Sequence, residues 1–214
     1  MSKHKVPTIT QAIAVLERHG LLMQSDAKLP SVVALVVGKP VRGSWWGHPQ
    51  GDAIHILNTQ LREHPDVIAT HLVCRKITYV HRRLWAELFG VATSKEKWQL
   101  DGLSKDCRAV FRRIEKHGFI RSDDEALLPT LSSRERRTVI RELEERLLVH
   151  CIEVHTERGT HAKAMQSWAR CRRQKKFRRK ALAASDARER LGALVELWSG
   201  GSNPNALLPW PHES

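Results

Sequence analysis

The sequence predicts a mixed α+β chain, mainly helical with short β-elements, in two lobes of which the second is winged-helix-like. Three observations point there. Apolar residues recur at helical spacing behind recognisable caps, between Thr8 and Gly20 and again between Ser104 and Gly118. Short runs rich in β-branched residues, 67–73 and 76–80, and a strand-like stretch at 148–156 interrupt the helices. After Thr93 the composition turns polar, and a helix, a strand, a turn and a helix follow in the order that a winged-helix module uses.

Taken along the chain, Thr8 and Gln11 make a T-x-x-Q capping box, Ile9, Ile13 and Leu16 keep the helical period, and Gly20 closes the first helix. Leu29-Pro30-Ser31 starts a second apolar helix through Val32, Val33, Leu35 and Val36, which Gly38 and Pro40 end. Two glycines and a proline make 43–49 a loop, and Ile54, Leu57 and Leu61 place an apolar stripe on a third helix over 52–63. The β-branched runs flank Cys74-Arg75 and read as a strand pair or one bent strand. Leu84, Trp85, Leu88 and Phe89 begin the next helix.

In the second half, Ser104 caps a helix carrying Val110, Phe111 and Ile114. Ser132 or Ser133 caps another, with Val139, Ile140, Leu143 and Leu147 on one face. After the strand at 148–156, Glu157-Arg158-Gly159 reads as a turn and Thr160 as the cap of one long helix over 160–198. Phe177, Ala181, Ala184, Leu191, Leu194 and Trp198 form its apolar stripe, and Gly200-Gly201 ends it. The domain expectation is an N-terminal lobe over 1–93, a C-terminal lobe over 94–200 and an extended tail over 201–214.

Charge narrows the function classes. The 36 Lys and Arg against 23 Asp and Glu leave a formal charge of +13, which in a globular chain points to a polyanion, nucleic acid first. Nine of these cations lie between 163 and 180 with no acid among them: Lys163, Arg170, Arg172, Arg173, Lys175, Lys176, Arg178, Arg179 and Lys180. A run without interleaved Glu repels itself, so a phosphate-binding element is a better account than a solvated helix face. No apolar run approaches the roughly 20 residues that a membrane span needs. The cysteines Cys74, Cys107, Cys151 and Cys171 are scattered singly, which suits a reducing cytoplasm and no disulfide-linked partner.

Three constellations can carry chemistry. Trp45 and Trp46 sit among glycines, where a ring can stack on a base at about 1 to 3 kcal/mol per base; the competing reading is a lid on the core, with one ring left partly exposed. Lys76 lies among Arg75, His81, Arg82 and Arg83 on a β-element. Like charge and burial would favour the neutral amine that a Schiff base with an abasic-site aldehyde requires. His48 or Asp52 would then move protons, while the plainer role for Lys76 is a phosphate contact. Arg75, His81, Arg82 and Arg83 would also touch nucleic acid. Third, His150, Cys151, Glu153, His155 and His161 meet no standard zinc spacing, and no Walker loop, dinucleotide fingerprint or G-x-S-x-G occurs, so neither metal nor cofactor is expected.

The strings at 43–49 (GSWWGHP), 80–85 (VHRRLW) and 153–161 (EVHTERGTH) resemble those of a family of uncharacterised bacterial proteins. The resemblance implies a bacterial, cytoplasmic setting and assigns no catalytic residue. The leading expectation is a nucleoid-associated DNA-binding protein that processes damaged or abasic DNA, as a glycosylase or AP lyase would. A non-catalytic winged-helix regulator or architectural protein, and an RNA-binding factor, are the alternatives.

Overall fold

Caps decide where the first helices start and stop. In the computed structural model, which describes residues 5–124, 131–155, 161–201 and 207–211, Thr8 and Gln11 form both halves of a capping box on α1 (Ile9–His19), and left-handed Gly20 ends it. The chain turns directly into β1 (Leu21–Met23). Ser31 caps α2 (Val32–Val37), closed by left-handed Gly38, and α3 (Gly51–Glu63) follows the tryptophan loop. Then come β2 (Val67–His71), β3 (Ile77–His81) and α4 (Trp85–Ala92). The expected strand pair is therefore present.

The second half continues with α5 (Lys97–Leu100), α6 (Lys105–His117) and β4 (Phe119–Arg121). Ser132, not Ser133, caps α7 (Ser133–Glu145), again through a capping box with Glu135. β5 (His150–His155) and β6 (His161–Gln166) form a ladder, and α8 (Trp168–Gln174) and α9 (Ala184–Trp198) complete the described elements. The protein is thus a mixed α+β chain with two three-stranded antiparallel sheets, ordered β1-β3-β2 and β4-β6-β5.

The chain forms two compact units, 1–85 with 192–208 and 86–191 with 209–214. In the first, β3 is the central strand, and Thr78, Tyr79 and Val80 are all fully buried. Its core gathers Leu16 of α1, Val33 and Val36 of α2, Ile54, Leu57 and Leu61 of α3, and Trp45. In the second, Val110, Phe111 and Ile114 of α6 meet Val139, Ile140 and Leu143 of α7 over Ile120 and Met165 of the sheet.

The structure adds β1, α5 and β4 to the expected elements, and it departs from the expectation most over 160–198. Residues 161–166 are a strand, and the expected long helix over 160–198 is two helices separated by nine irregular residues. Alanines at 162 and 164 favour helix intrinsically, but β6 pairs with β5 on one side and β4 on the other, and that ladder overrides propensity. Ser167, whose Oγ accepts from Arg170 N–H at 3.3 Å, is the cap of the helix that follows. The expected turn Glu157-Arg158-Gly159 and the cap Thr160 lie outside the described residues.

The break between α8 and α9 has identifiable causes. Phe177 N–H donates to Arg172 O at 3.1 Å and Lys176 N–H to Arg173 O at 3.0 Å, with Lys176 at φ 51°: a Schellman stop with lysine in the left-handed position. Phe177 is buried, its ring 5.5 Å from Phe89 of α4. Leu182 N–H then donates to Ala86 O at 3.1 Å, and this close approach to α4 requires Gly90, where a Cβ would lie 2.7 Å from Leu182 O.

Two glycine substitutions should therefore act with opposite sign. Gly90→Ala pushes a methyl into Leu182 O and Ala187 Cβ and should destabilise by about 1 to 3 kcal/mol. Gly192→Ala, inside α9 with nothing within 4 Å, should stabilise by about 0.5 to 1 kcal/mol. Urea unfolding midpoints of the two variants check both.

Candidate nucleic-acid interface

The acid-free segment from β6 onward divides into cations that hold the fold and cations that face solvent. Lys163 on β6 pairs with Glu144 at 3.1 Å; burial alone would lower its pKa, and the carboxylate outweighs that and raises it. The Arg170 guanidinium lies 4.9 Å over the Phe119 ring. Arg172 donates to the main-chain carbonyls of Phe177 at 3.2 Å and Arg179 at 2.6 Å, so its fork ties the irregular segment back to α8. The Lys175 side chain is half-buried, and its backbone N–H donates to Cys171 O at 2.9 Å at the end of α8.

Arg173, Lys176, Arg178, Arg179 and Lys180 remain, all exposed and all without an ion pair among the described residues. Arg173, Lys176 and Arg178 join Arg172 and Phe177 in lining an open recess of about 310 Å³. Chemically the arrangement can attract an anion: Phe177 and Arg172 hold a ledge from which cations reach outward, with no ion pair to a carboxylate among the described residues. The expected single helix face is corrected: of the five outward cations, Arg173 lies in the last turn of α8, and Lys176, Arg178, Arg179 and Lys180 lie on the irregular segment after it.

The tryptophan loop belongs to the first unit. A run of turns shapes it: Ser44 Oγ accepts from Trp46 N–H at 3.3 Å, His48 N–H donates to Trp45 O at 3.0 Å, and Gly51 N–H to His48 O at 2.8 Å. Trp45 enters the core, whereas Trp46 is 70% exposed, as adjacency demands. The two rings stack at 4.4 Å and 19°, and His55 of α3 supports Trp46 from 5.9 Å. Trp46 thus offers an open ring surface on an aromatic base. The sequence gives no signal for His55, because it lies on the next helix, at no local spacing from the loop.

Lys76 sits differently from the expectation. It precedes β3, is about half exposed, and its Nζ donates to Asp26 Oδ2 at 2.8 Å. In place of the expected burial, its side chain is half exposed and ion-paired. Burial pushes the Asp26 carboxyl up, but hydrogen bonds from Lys76 Nζ and from the Lys28 and Leu29 N–H groups outweigh it, leaving the pKa below 3.8. Fifty residues separate the pair, so no sequence spacing points to it. His48 Nδ1 accepts from Gln50 N–H at 3.1 Å and Asp52 sits in the first turn of α3, where a carboxylate suits the helix dipole. No hydrogen bond or ion pair among the described residues joins either to Lys76.

The other basic candidates of the first unit, Arg75, His81, Arg82 and Arg83, lie at or beside its turns. Arg75 and Cys74 are consecutive left-handed residues, at φ 53° and 52°, joining β2 to β3. Arg82 pairs with Asp66 at 3.0 Å and lies 5.6 Å over Trp85. Arg83 Nη2 donates to Arg18 O at 3.1 Å, closing the end of α1. His81 Nδ1 accepts from Arg83 N–H at 3.4 Å, and burial lowers its pKa. In the second unit, His150 Nδ1 lies 3.0 Å from Gln166 Nε2, and Cys151 is buried, with its thiol pushed up chiefly by that burial. No group of three or more potential metal ligands gathers among the described residues. All four cysteines are free, and no helix among the described residues is long and apolar enough to cross a membrane.

Comparison with protein-family models, with curated proteins and with solved structures finds no match.

The Asp26 pair sets a pH dependence. A carboxyl depressed by folding contributes stability that is present above 3.8 and lost as pH falls through the folded value. Asp26→Asn should cost about 0.5 to 1 kcal/mol at pH 7 and show a shallower loss of stability on acidification below 3.8. Denaturation midpoints along a pH series measure both effects.

Proposed function

We propose that the protein binds nucleic acid, with duplex DNA as its ligand, and that the ledge at 172–180 is its phosphate contact. The observation that carries this is the set of five outward cations, Arg173, Lys176, Arg178, Arg179 and Lys180, with no ion pair among the described residues and a recess beside them. Like charges so close are unfavourable in the free protein and become favourable against a polyanion, which releases its condensed counterions on binding. The exposed, supported ring of Trp46 adds a surface on which an unstacked base can rest.

At a finer level, the second unit is a winged-helix-like module. Its order α6, β4, α7, β5, β6 and the sheet order β4-β6-β5 support that reading, since such modules pair a helix set with a hairpin. A non-catalytic binding protein is favoured over the damage-processing one by a single observation, the Lys76–Asp26 ion pair. With its Nζ held on the Asp26 carboxylate, Lys76 is not placed for attack on an aldehyde.

Binding to a fluorescent duplex across a salt series tests the reading. Wild type should show a steep log–log slope. Replacing Arg173, Lys176, Arg178 and Arg179 together by Ala should flatten it by about 0.9 for each phosphate no longer neutralised, three to four units at most. Arg172 stays intact because it holds the ledge. An unchanged slope and affinity would reject the ledge as the contact. For Lys76, borohydride treatment with abasic-site DNA should give no covalent adduct that Lys76→Ala abolishes, and such an adduct would restore the lyase reading.

A further inference from the structure

We infer that the exposed arginine stripe of α7 reads base edges in the major groove of duplex DNA, with Arg134, Arg137, Thr138 and Arg141 as the reading side chains. The inference rests on the duplex-DNA reading above and adds to it the residues that would choose a sequence.

α7 presents two unlike faces. Val139, Ile140 and Leu143 are buried in the core of the second unit. Arg134, Arg137, Thr138 and Arg141 are all exposed, at helical spacings of three, four and seven, so they share the opposite face. The Ser132–Glu135 capping box fixes the start of the helix, and Arg136 is withdrawn from the stripe, its guanidinium donating to Leu131 O at 2.9 Å. Arg141 pairs with Glu145 at 2.7 Å, one turn further on. Arg134 and Arg137 have no ion pair among the described residues.

A merely solvated helix face is a poor account of this stripe. Arg134–Arg137 and Arg137–Arg141 are like-charge pairs at i,i+3 and i,i+4, which weaken a helix rather than support it. The other acids of α7 are engaged elsewhere: Glu135 in the cap, Glu142 with Arg146 and Glu144 with Lys163. Charge complementarity therefore selects a polyanion as the occupant.

Geometry selects which polyanion. An α-helix fits the wide major groove of B-form DNA, where an arginine fork meets guanine O6 and N7 together and a Thr methyl can meet a thymine methyl. The stripe rises about 10 Å from Arg134 to Arg141, close to three base-pair steps. The deep, narrow major groove of A-form RNA does not admit a helix. Duplex DNA with guanine at the reading positions is thus the expected ligand.

Selection of bound duplexes from a random pool by the full chain, followed by affinity measurement on the selected site, tests this. Wild type should enrich a guanine-containing motif. Arg134→Lys and Arg137→Lys, which keep charge but lose the fork, should bind that motif roughly 10- to 100-fold more weakly. The same variants should bind unrelated duplex as wild type does, with the same salt slope. Circular dichroism and urea midpoints of the variants establish that the fold is retained. Enrichment of no motif by wild type, or of the same motif at equal affinity by the lysine variants, overturns the stripe while leaving the phosphate ledge standing. Absence of duplex binding, or a preference for structured RNA over duplex, overturns both.

Discussion

The basic ledge depends on the burial of one aromatic ring. Phe177 leaves the end of α8, packs on Phe89 and carries the chain across α4 at Gly90 instead of along a helix axis. Without that anchor, nine residues lacking regular hydrogen bonds and crowded with cations would have little reason to stay near the protein. Arg172 secures the far side through two main-chain carbonyls. Charge display and fold stability are thus separated by residue: aromatic and carbonyl contacts hold the ledge, and the remaining cations are left to face outward.

Much of the helical structure is legible in the sequence because capping is local. Thr8 with Gln11, Ser31, Ser104 and Ser132 with Glu135 each announce a helix within four residues, and the glycines at 20, 38 and 118 end one. What local reading cannot supply is pairing at a distance. Residues 161–166 carry helix-forming alanines and become a strand only because both neighbouring strands are in place. The end of α8 is hidden for a related reason: a lysine occupies the left-handed position where glycine would have marked the stop.

The candidate site divides the same way. That one of two adjacent tryptophans must turn outward follows from chain geometry, and Trp46 does. The concentration of charge at 163–180 is plain from composition, yet which of its members are committed to Glu144, Phe119 or main-chain carbonyls depends on tertiary contacts. For Lys76 the alternation of a strand suggests burial, but β3 is central, with consecutive residues buried on both faces, and Lys76 lies before it. The carboxylate it meets comes from a loop fifty residues earlier.

Crowding exposed cations on the end of α8 and the irregular segment after it makes the free protein sensitive to its buffer. The Debye length grows from about 10 Å at 0.1 M to about 30 Å at 0.01 M salt, so dilution lets the ledge and the α7 arginines each repel over their full extent. Any polyanion that neutralises them in the folded chain more than in the unfolded one raises the melting temperature by mass action. In dilute buffer that repulsion is least screened, and polyphosphate or heparin should then act on the molecule as a stabiliser.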